Sequence, residues 1–190
     1  MEPFKKIKSV ATPLDKVNVD TDQIVPKQFL KLVQRTGFGQ YLFYDWRYEK
    51  EDVPRKDFIL NDPKYKNSKI LLARDNFGCG SSREHAVWAL DDYGFKVIIS
   101  TSFADIFYNN CFKNGILPIT VSEESLQKLF SVKSEIDVDL ENQSIRADGW
   151  SMSFDIEPHW KKILLEGLDD IAITLLHEKQ IVQYEQTHKI

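Results

Sequence analysis

The chain of 190 residues contains only two cysteines, Cys79 and Cys111, which stand in unrelated sequence contexts. Two cysteines cannot build the disulfide framework that stabilises many small secreted proteins. An iron–sulfur cubane usually needs three or four thiolates, so this chain has too few to hold one by itself. We therefore expect no metal ligands among its residues.

The sequence also lacks a long apolar run and an excess of basic residues. No run approaches the ~20 apolar residues that span a bilayer, and residues 1–6 do not form the apolar segment of a secretory signal. With 25 basic and 29 acidic residues, the net charge is 25 − 29 = −4. This mildly acidic balance argues against general nucleic-acid binding. We expect a cytoplasmic protein that binds neither membrane nor nucleic acid.

The hydrophobic pattern predicts alternating strands and helices in the second half of the chain. Strands are predicted at 70–73, 95–100 and 116–121, and helices after the first of these strands, at 104–113 and at 123–130 with Ser122 as cap. Such alternation is typical of an α/β fold with a largely parallel sheet. Runs at 136–140 and 151–156, separated by turn residues around Asp148-Gly149, predict an antiparallel hairpin or second layer. Pro158 should open a helix, and a final helix should span about 170–186.

Two earlier segments carry weaker predictions. The Gly37-Phe38-Gly39 segment indicates a mobile joint between two parts of the fold. Residues 40–57 are rich in aromatic side chains, which are more often core or subunit interface than a cofactor site.

The most informative segment is residues 76–86, which read Asn-Phe-Gly-Cys-Gly-Ser-Ser-Arg-Glu-His-Ala. A glycine turn follows an apolar strand and brings Ser81, Ser82 and Arg83 to the start of a helix. The N-terminus of a helix favours anions, and an arginine can bind a carboxylate through two parallel hydrogen bonds. The same letters fit a capping box with Ser81 as N-cap and Glu84 at the third helical position. Both interpretations remain open from the pattern.

Residues 80–85 resemble the signature of the swivelling domain of the aconitase superfamily, specifically its family of 3-isopropylmalate dehydratase small subunits. Further matching segments lie at 20–30, 42–47, 102–107, 109–118 and 168–171. The resemblance implies a three-layer β/β/α swivelling domain of the aconitase type. It implies one domain over residues 1–190, with helices at the C-terminus.

The resemblance also implies a function. Members of this family belong to a hydro-lyase that interconverts 2-isopropylmalate and 3-isopropylmalate by dehydration and rehydration in leucine biosynthesis. The implied partner is a large subunit, which forms a heterodimer with the small one and carries a [4Fe-4S] cluster. Carried over residue by residue, Ser81 is the catalytic base, and Ser82 and Arg83 bind a substrate carboxylate.

The segment after the Asp20-Thr21-Asp22 turn is expected to meet the group that distinguishes one substrate from another. Leu30 and Leu32 would face an isopropyl group, and Lys31 or Arg35 would meet a carboxylate. The alternative is that Lys27, Lys31 and Arg35 form a solvated basic face.

Three residues near Ser81 have open roles. His85 is either a structural histidine or a residue that orders the loop from behind, and Glu84 is most simply the acid of the capping box. Cys79 is either prone to form a thiolate or an inert small residue.

The sequence is also compatible with other functions. A sibling small subunit could act on citraconate or 2,3-dimethylmalate. A non-catalytic RNA-binding regulator is a third possibility, which the acidic balance disfavours.

Overall fold

The computed structural model describes residues 1–31, 36–50 and 53–188. The strands are β1 (Ile7–Ser9), β2 (Ala11–Leu14), β3 (Ile70–Ala73), β4 (Val97–Ser100), β5 (Leu117–Thr120), β6 (Ile136–Asp139), β7 (Ser144–Ala147) and β8 (Trp150–Ser153). The helices are α1 (Thr21–Ile24), α2 (Tyr44–Arg47), α3 (Glu84–Tyr93), α4 (Asp105–Lys113), α5 (Glu123–Ser131), α6 (Pro158–Glu166), α7 (Asp170–Leu175) and α8 (Glu178–Thr187). Short 3₁₀ turns lie at Lys27–Phe29, Gly39–Tyr41, Ile59–Asn61 and Pro63–Tyr65.

Two four-stranded sheets organise these elements. Strands β2, β3, β4 and β5 pair in parallel in that order, and β1, β6, β7 and β8 pair antiparallel in that order. Every residue of β3 and of β4 is buried. Apolar strands that are buried on both faces are typical of a parallel sheet covered on both sides.

The two faces of the parallel sheet contact different layers. Ile70 and Leu72 pack in one hydrophobic cluster with residues of the antiparallel sheet, such as Val138. Leu71 points to the opposite face and packs in a second hydrophobic cluster, which includes Val87 of α3. Adjacent residues of a strand point to opposite faces, so β3 sits between a sheet and a helical layer. The predicted α/β class and β/β/α arrangement are confirmed.

Most predicted elements are present, with two corrections. Strand β7 was not predicted. It has only four residues, of which Ile145 and Ala147 are buried, and it is defined by its pairing with β6 on one side and β8 on the other. The single predicted C-terminal helix is wrong: the structure has α7 and α8, separated at Leu176 and His177. None of the helices in the described ranges is both long enough and apolar enough to cross a membrane.

The prediction of a mobile joint at Gly37-Phe38-Gly39 is also wrong. Phe38 is fully buried, and the N–H groups of Gly37 and Gly39 both donate to Asp92 Oδ2, at 3.1 and 2.8 Å. A Cβ at Gly39 would lie 2.8 Å from the backbone nitrogen of Tyr93. The segment is therefore anchored against the end of α3.

The aromatic segment contributes to the core, as predicted. Phe43 is fully buried and stacks on Trp46, with ring centroids 5.5 Å apart. Phe29 stacks on Tyr41 at 4.1 Å. These rings belong to, or pack against, the hydrophobic cluster on the helical face of the parallel sheet.

Candidate active site

Residues 76–83, here called the serine loop, form most of the connection between β3 and α3. Two glycines in the loop have left-handed backbone conformations, with φ of +78° at Gly78 and +91° at Gly80. A Cβ at Gly78 would lie 2.1 Å from the ring of Phe107. Only glycine allows the loop to pass this close to α4 in this conformation.

The serine loop is bonded on one side to the turn that follows β2. Gly78 N donates to Val19 O at 2.8 Å, and Thr21 N donates to Cys79 O at 2.9 Å. The hydroxyl of Thr21 donates to Ser81 O at 2.9 Å. Main-chain atoms on both sides of Gly80 are thereby fixed.

The other side of the serine loop is bonded to the segment that follows β4. Phe77 N donates to Ser102 O, and Ala104 N donates to Phe77 O, both at 3.1 Å. Asn76 N donates to the hydroxyl of Ser102 at 2.8 Å. The loops after three adjacent parallel strands therefore lie side by side at the carboxyl edge of the sheet, where ligands of open α/β sheets commonly bind.

Ser81, Ser82 and Arg83 line one concave surface at this edge. Thr21 and the start of α4 line the same surface, the latter with Ala104, Asp105, Ile106 and Phe107. Both serines are exposed. The structure thus brings together the three residues that the sequence placed at the centre of the site.

The first turn of α4 was not predicted to belong to this site. Ile106 is 54% exposed despite its apolar side chain, and no side-chain hydrogen bond caps the helix. The order of the predicted strands could have indicated it. The first turn of α4 follows β4, and the carboxyl end of β4 lies beside that of β3 in the parallel sheet.

The capping-box interpretation of Ser81 is wrong. Helix α3 begins at Glu84 with Arg83 as N-cap, and no side chain caps it by a hydrogen bond. Ser81 lies two residues before the cap, so its hydroxyl is not used by the helix. A capping box forms instead at α1, where Gln23 N donates to Asp20 Oδ1 at 2.7 Å and Asp20 N donates to Gln23 Oε1 at 2.9 Å.

Arg83 forms an ion pair with Asp22 through one of its terminal nitrogens. Its side chain is only 19% exposed, whereas that of Asp22 is 51% exposed. The pair holds the guanidinium beside the serines. It leaves the donors of the other guanidinium nitrogens for a ligand.

Glu84 and His85 serve the structure around α3. Glu84 Oε1 accepts a hydrogen bond of 3.0 Å from Asn114 Nδ2. The Oδ1 atom of Asn114 in turn accepts a hydrogen bond of 3.1 Å from Trp88 Nε1. The ring of His85 packs on those of Phe38 and Trp88, with centroids 5.3 and 4.6 Å away. These contacts favour the structural interpretation of the histidine.

Cys79 is half-buried and is a free thiol. Burial is the main cause that raises its pKa, and the neighbouring Asp20 carboxylate raises it further. Both effects oppose formation of a thiolate. The interpretation of Cys79 as an inert loop residue is therefore favoured over that of a reactive thiolate.

The substrate-selecting segment is described only in part. Leu30 is half-buried and packs against the core cluster that contains α3, and Lys31 is exposed. Neither lines the concave surface around Ser81. Leu32 and Arg35 lie outside the described residues, so the selecting role of this segment stays a prediction.

The two cysteines of this sequence are fewer than the three or four thiolates that an iron–sulfur cubane usually needs. Cys111 is fully buried in α4, and burial raises the pKa of its thiol well above the ordinary value. Across residues 1–31, 36–50 and 53–188, no three His, Cys, Asp or Glu side chains are grouped as a metal site.

The fold and this loop define a class of protein. Residues 1–124 match the model of the aconitase C-terminal domain family. That match spans the parallel sheet, the serine loop and α4. The chain belongs to this family.

Relatives that match the whole chain carry a more specific name. The chain is 56% identical over 191 residues to the 3-isopropylmalate dehydratase small subunit of Brevibacillus brevis, an alignment that covers 97% of this chain and 98% of the relative. It is 53% identical over 190 residues to the small subunit from Bacillus subtilis, with coverage of 97% and 96%.

A solved structure is similar as well. The crystal structure of a 3-isopropylmalate dehydratase from Methanocaldococcus jannaschii matches with a TM-score of 0.68 and 25% identity, and covers 96% of this chain and 99% of the other.

Proposed function

We propose that this chain is the small subunit of a 3-isopropylmalate dehydratase, a hydro-lyase that interconverts 2-isopropylmalate and 3-isopropylmalate. The observation that carries the proposal is the serine loop. Its main chain is hydrogen-bonded on both sides, while Ser81 and Ser82 remain exposed next to Arg83. The full-length similarity to small subunits of this name supports the same substrate.

Ser81 takes the role of the base in this proposal. Dehydration removes a proton from a carbon beside a carboxylate and a hydroxyl group from the neighbouring carbon, so that water leaves and a double bond forms. Rehydration adds the proton and the hydroxyl group back to the opposite carbons. A serine hydroxyl is normally protonated at neutral pH, so its alkoxide needs positive charge nearby. The N-terminal end of α3 supplies positive charge, and the guanidinium of Arg83 adds to it, reduced by its ion pair with Asp22. Exclusion of water by a covering partner would strengthen both effects.

Ser82 and Arg83 bind a substrate carboxylate in the same scheme. The ion pair with Asp22 orients the guanidinium, and its remaining N–H groups would donate to the substrate. Binding neutralises charge that moves onto the carboxylate as the proton leaves. Leu30, Lys31 and Arg35 are proposed to select among substrates.

The partner of this chain is proposed to be the large subunit of the same enzyme. The concave surface around Ser81 is open to solvent on this chain alone, and the name "small subunit" of the relatives implies a larger partner. We assign the [4Fe-4S] cluster of the enzyme to that partner, because the two cysteines of this chain cannot hold it.

The proposal is tested by assembling the chain with a 3-isopropylmalate dehydratase large subunit under anaerobic conditions. The complex should convert 2-isopropylmalate to 3-isopropylmalate, with a higher kcat/KM than for citraconate or 2,3-dimethylmalate. A complex that prefers one of the latter two would assign the chain to a sibling hydro-lyase. A complex that acts on none of the three would refute the proposal.

A further inference from the structure

We infer that Thr21 is a positioning residue that fixes the peptide group carrying Ser81, and this inference rests on the proposed function. The side-chain hydroxyl of Thr21 donates to Ser81 O at 2.9 Å, and its backbone N–H donates to Cys79 O at 2.9 Å. The bond to Ser81 spans 60 residues of sequence, and the two bonds lie on either side of Gly80. One residue therefore fixes the main chain immediately before and at the serine.

Gly80 lies close to the same residue. A Cβ at Gly80 would stand 3.4 Å from Asp20 Cβ and 3.6 Å from the hydroxyl oxygen of Thr21. The loop is therefore in ordinary van der Waals contact with the α1 turn at Gly80, in addition to the two hydrogen bonds at the carbonyls on either side.

Thr21 is itself held rigidly. It is only 2% exposed, and the reciprocal bonds between Asp20 and Gln23 form a capping box around it. Its own carbonyl accepts from Val25 N at 3.0 Å. A donor that is fixed in this way transmits its position to the group that it binds.

The bond has a direct consequence for the reacting atom. The carbonyl of Ser81 and the N–H of Ser82 belong to one peptide plane. If the carbonyl loses its donor, this plane can rotate, and both serine side chains move with it. Ser82 would move as well, but the guanidinium of Arg83 is tied independently to Asp22 and would keep its proposed contact with the substrate carboxylate. Loss of the Thr21 hydroxyl should therefore impair the chemical step more than substrate binding.

The test compares three variants in the assembled enzyme. Thr21→Val removes the hydroxyl and keeps the shape, and it should lower kcat roughly 10- to 100-fold, in the range caused by a misplacement of about 1 Å. KM should change much less. Thr21→Ser keeps the hydroxyl and should restore kcat to near the wild-type value.

Thr12→Val is the matched control. Thr12 is fully buried on β2, and within the part of the chain that the structure describes its hydroxyl has no hydrogen-bond partner. The same chemical change at this site should leave kcat and KM as in wild type. Wild-type kcat in Thr21→Val, or an equal loss in Thr21→Val and Thr21→Ser, would overturn the inference.

A measurement without turnover separates this inference from the proposed function. Amide hydrogen exchange of residues 79–82 in the isolated chain should be faster in Thr21→Val than in wild type, and unchanged in Thr12→Val. If Thr21→Val fails to fold, Thr21→Ala removes the same hydroxyl with less volume, and the same comparison decides. Inactivity of the wild-type complex would refute the proposed function alone, whereas unchanged exchange would refute the role of Thr21.

Discussion

The serine loop and the C-terminal arm, residues 170–188, both expose side chains but differ in what holds them. The arm exposes Ile171 to 71% and Tyr184 to 64%, and several of its side-chain bonds are local, such as Thr174 Oγ1 to Asp170 O. The loop exposes Ser81 while the carbonyl of the same residue is bound by Thr21, 60 residues away. The exposure of a side chain therefore does not show whether its backbone is fixed, because that depends on the hydrogen-bond partners of the backbone.

The largest effect on activity is expected from removal of the Ser81 hydroxyl. Ser81→Ala should lower kcat of the assembled enzyme by about 10²–10⁴, the range for a positioned acid–base group. The melting temperature should not change, because Ser81 does not cap α3. The turnover rate and the melting temperature are measured on the same sample. Ser151→Ala is the control, because Ser151 is an exposed serine on β8. Near-wild-type activity would remove Ser81 from catalysis.

A methyl group at Gly78 should break the contact between the serine loop and α4. Gly78→Ala combines a left-handed conformation with a clash against Phe107, and should cost about 2–5 kcal/mol of unfolding free energy. Gly149→Ala is the control, since φ there is +80° but the space around it is open. Chemical denaturation of both variants measures the difference, and equal losses would show that the clash is relieved.

Arg83→Lys should weaken substrate binding in the transition state. Lysine keeps the charge but lacks the planar group that can serve Asp22 and a substrate carboxylate together. Loss of a hydrogen bond to a charged group corresponds to about 1.5–3 kcal/mol, or roughly 10- to 150-fold in kcat/KM. Steady-state kinetics test this, and unchanged values would leave Arg83 with its structural ion pair only.

The smallest effect is expected in the arm. Deletion of residues 176–190 removes side chains that are exposed throughout 176–188, and should shift the melting temperature of the isolated chain by no more than roughly 1–2 °C. Gly167→Ala, just before the arm, should have a larger effect, because its Cβ would lie 2.7 Å from Met1 O. A large shift on deletion would show that the arm stabilises the fold.

Local signals in the sequence predicted local structure well. Ser122 caps α5, with its hydroxyl oxygen accepting from Ser125 N at 3.2 Å, and Gly94 ends α3 with φ of +119°. Runs of apolar residues located β3 and β4. These features depend on a few adjacent residues, which a sequence displays directly.

Features that depend on distant partners were less predictable. Strand β7 needed its neighbours on both sides, and the Gly37 segment is held by Asp92, 55 residues away. The letters around Ser81 fit a cap equally well, and only the start of α3 at Glu84 decides against it. The family resemblance pointed to Ser81, Ser82 and Arg83, whose roles stay predictions, but not to the residues of α4 that line the same concave surface.

The bridges beyond the ends of the strands have a consequence for folding. Asp20 pairs with Cys79 and Phe77 with Phe103 as isolated parallel bridges past the ends of β2, β3 and β4. Contacts across such long stretches of chain form late, because closing large loops costs entropy before the contacts compensate it. Helices α3 and α4 can form locally while the site does not yet exist. The geometry around Ser81 is therefore a sensitive marker of complete folding, and protection of its loop should be among the last signals to appear during refolding.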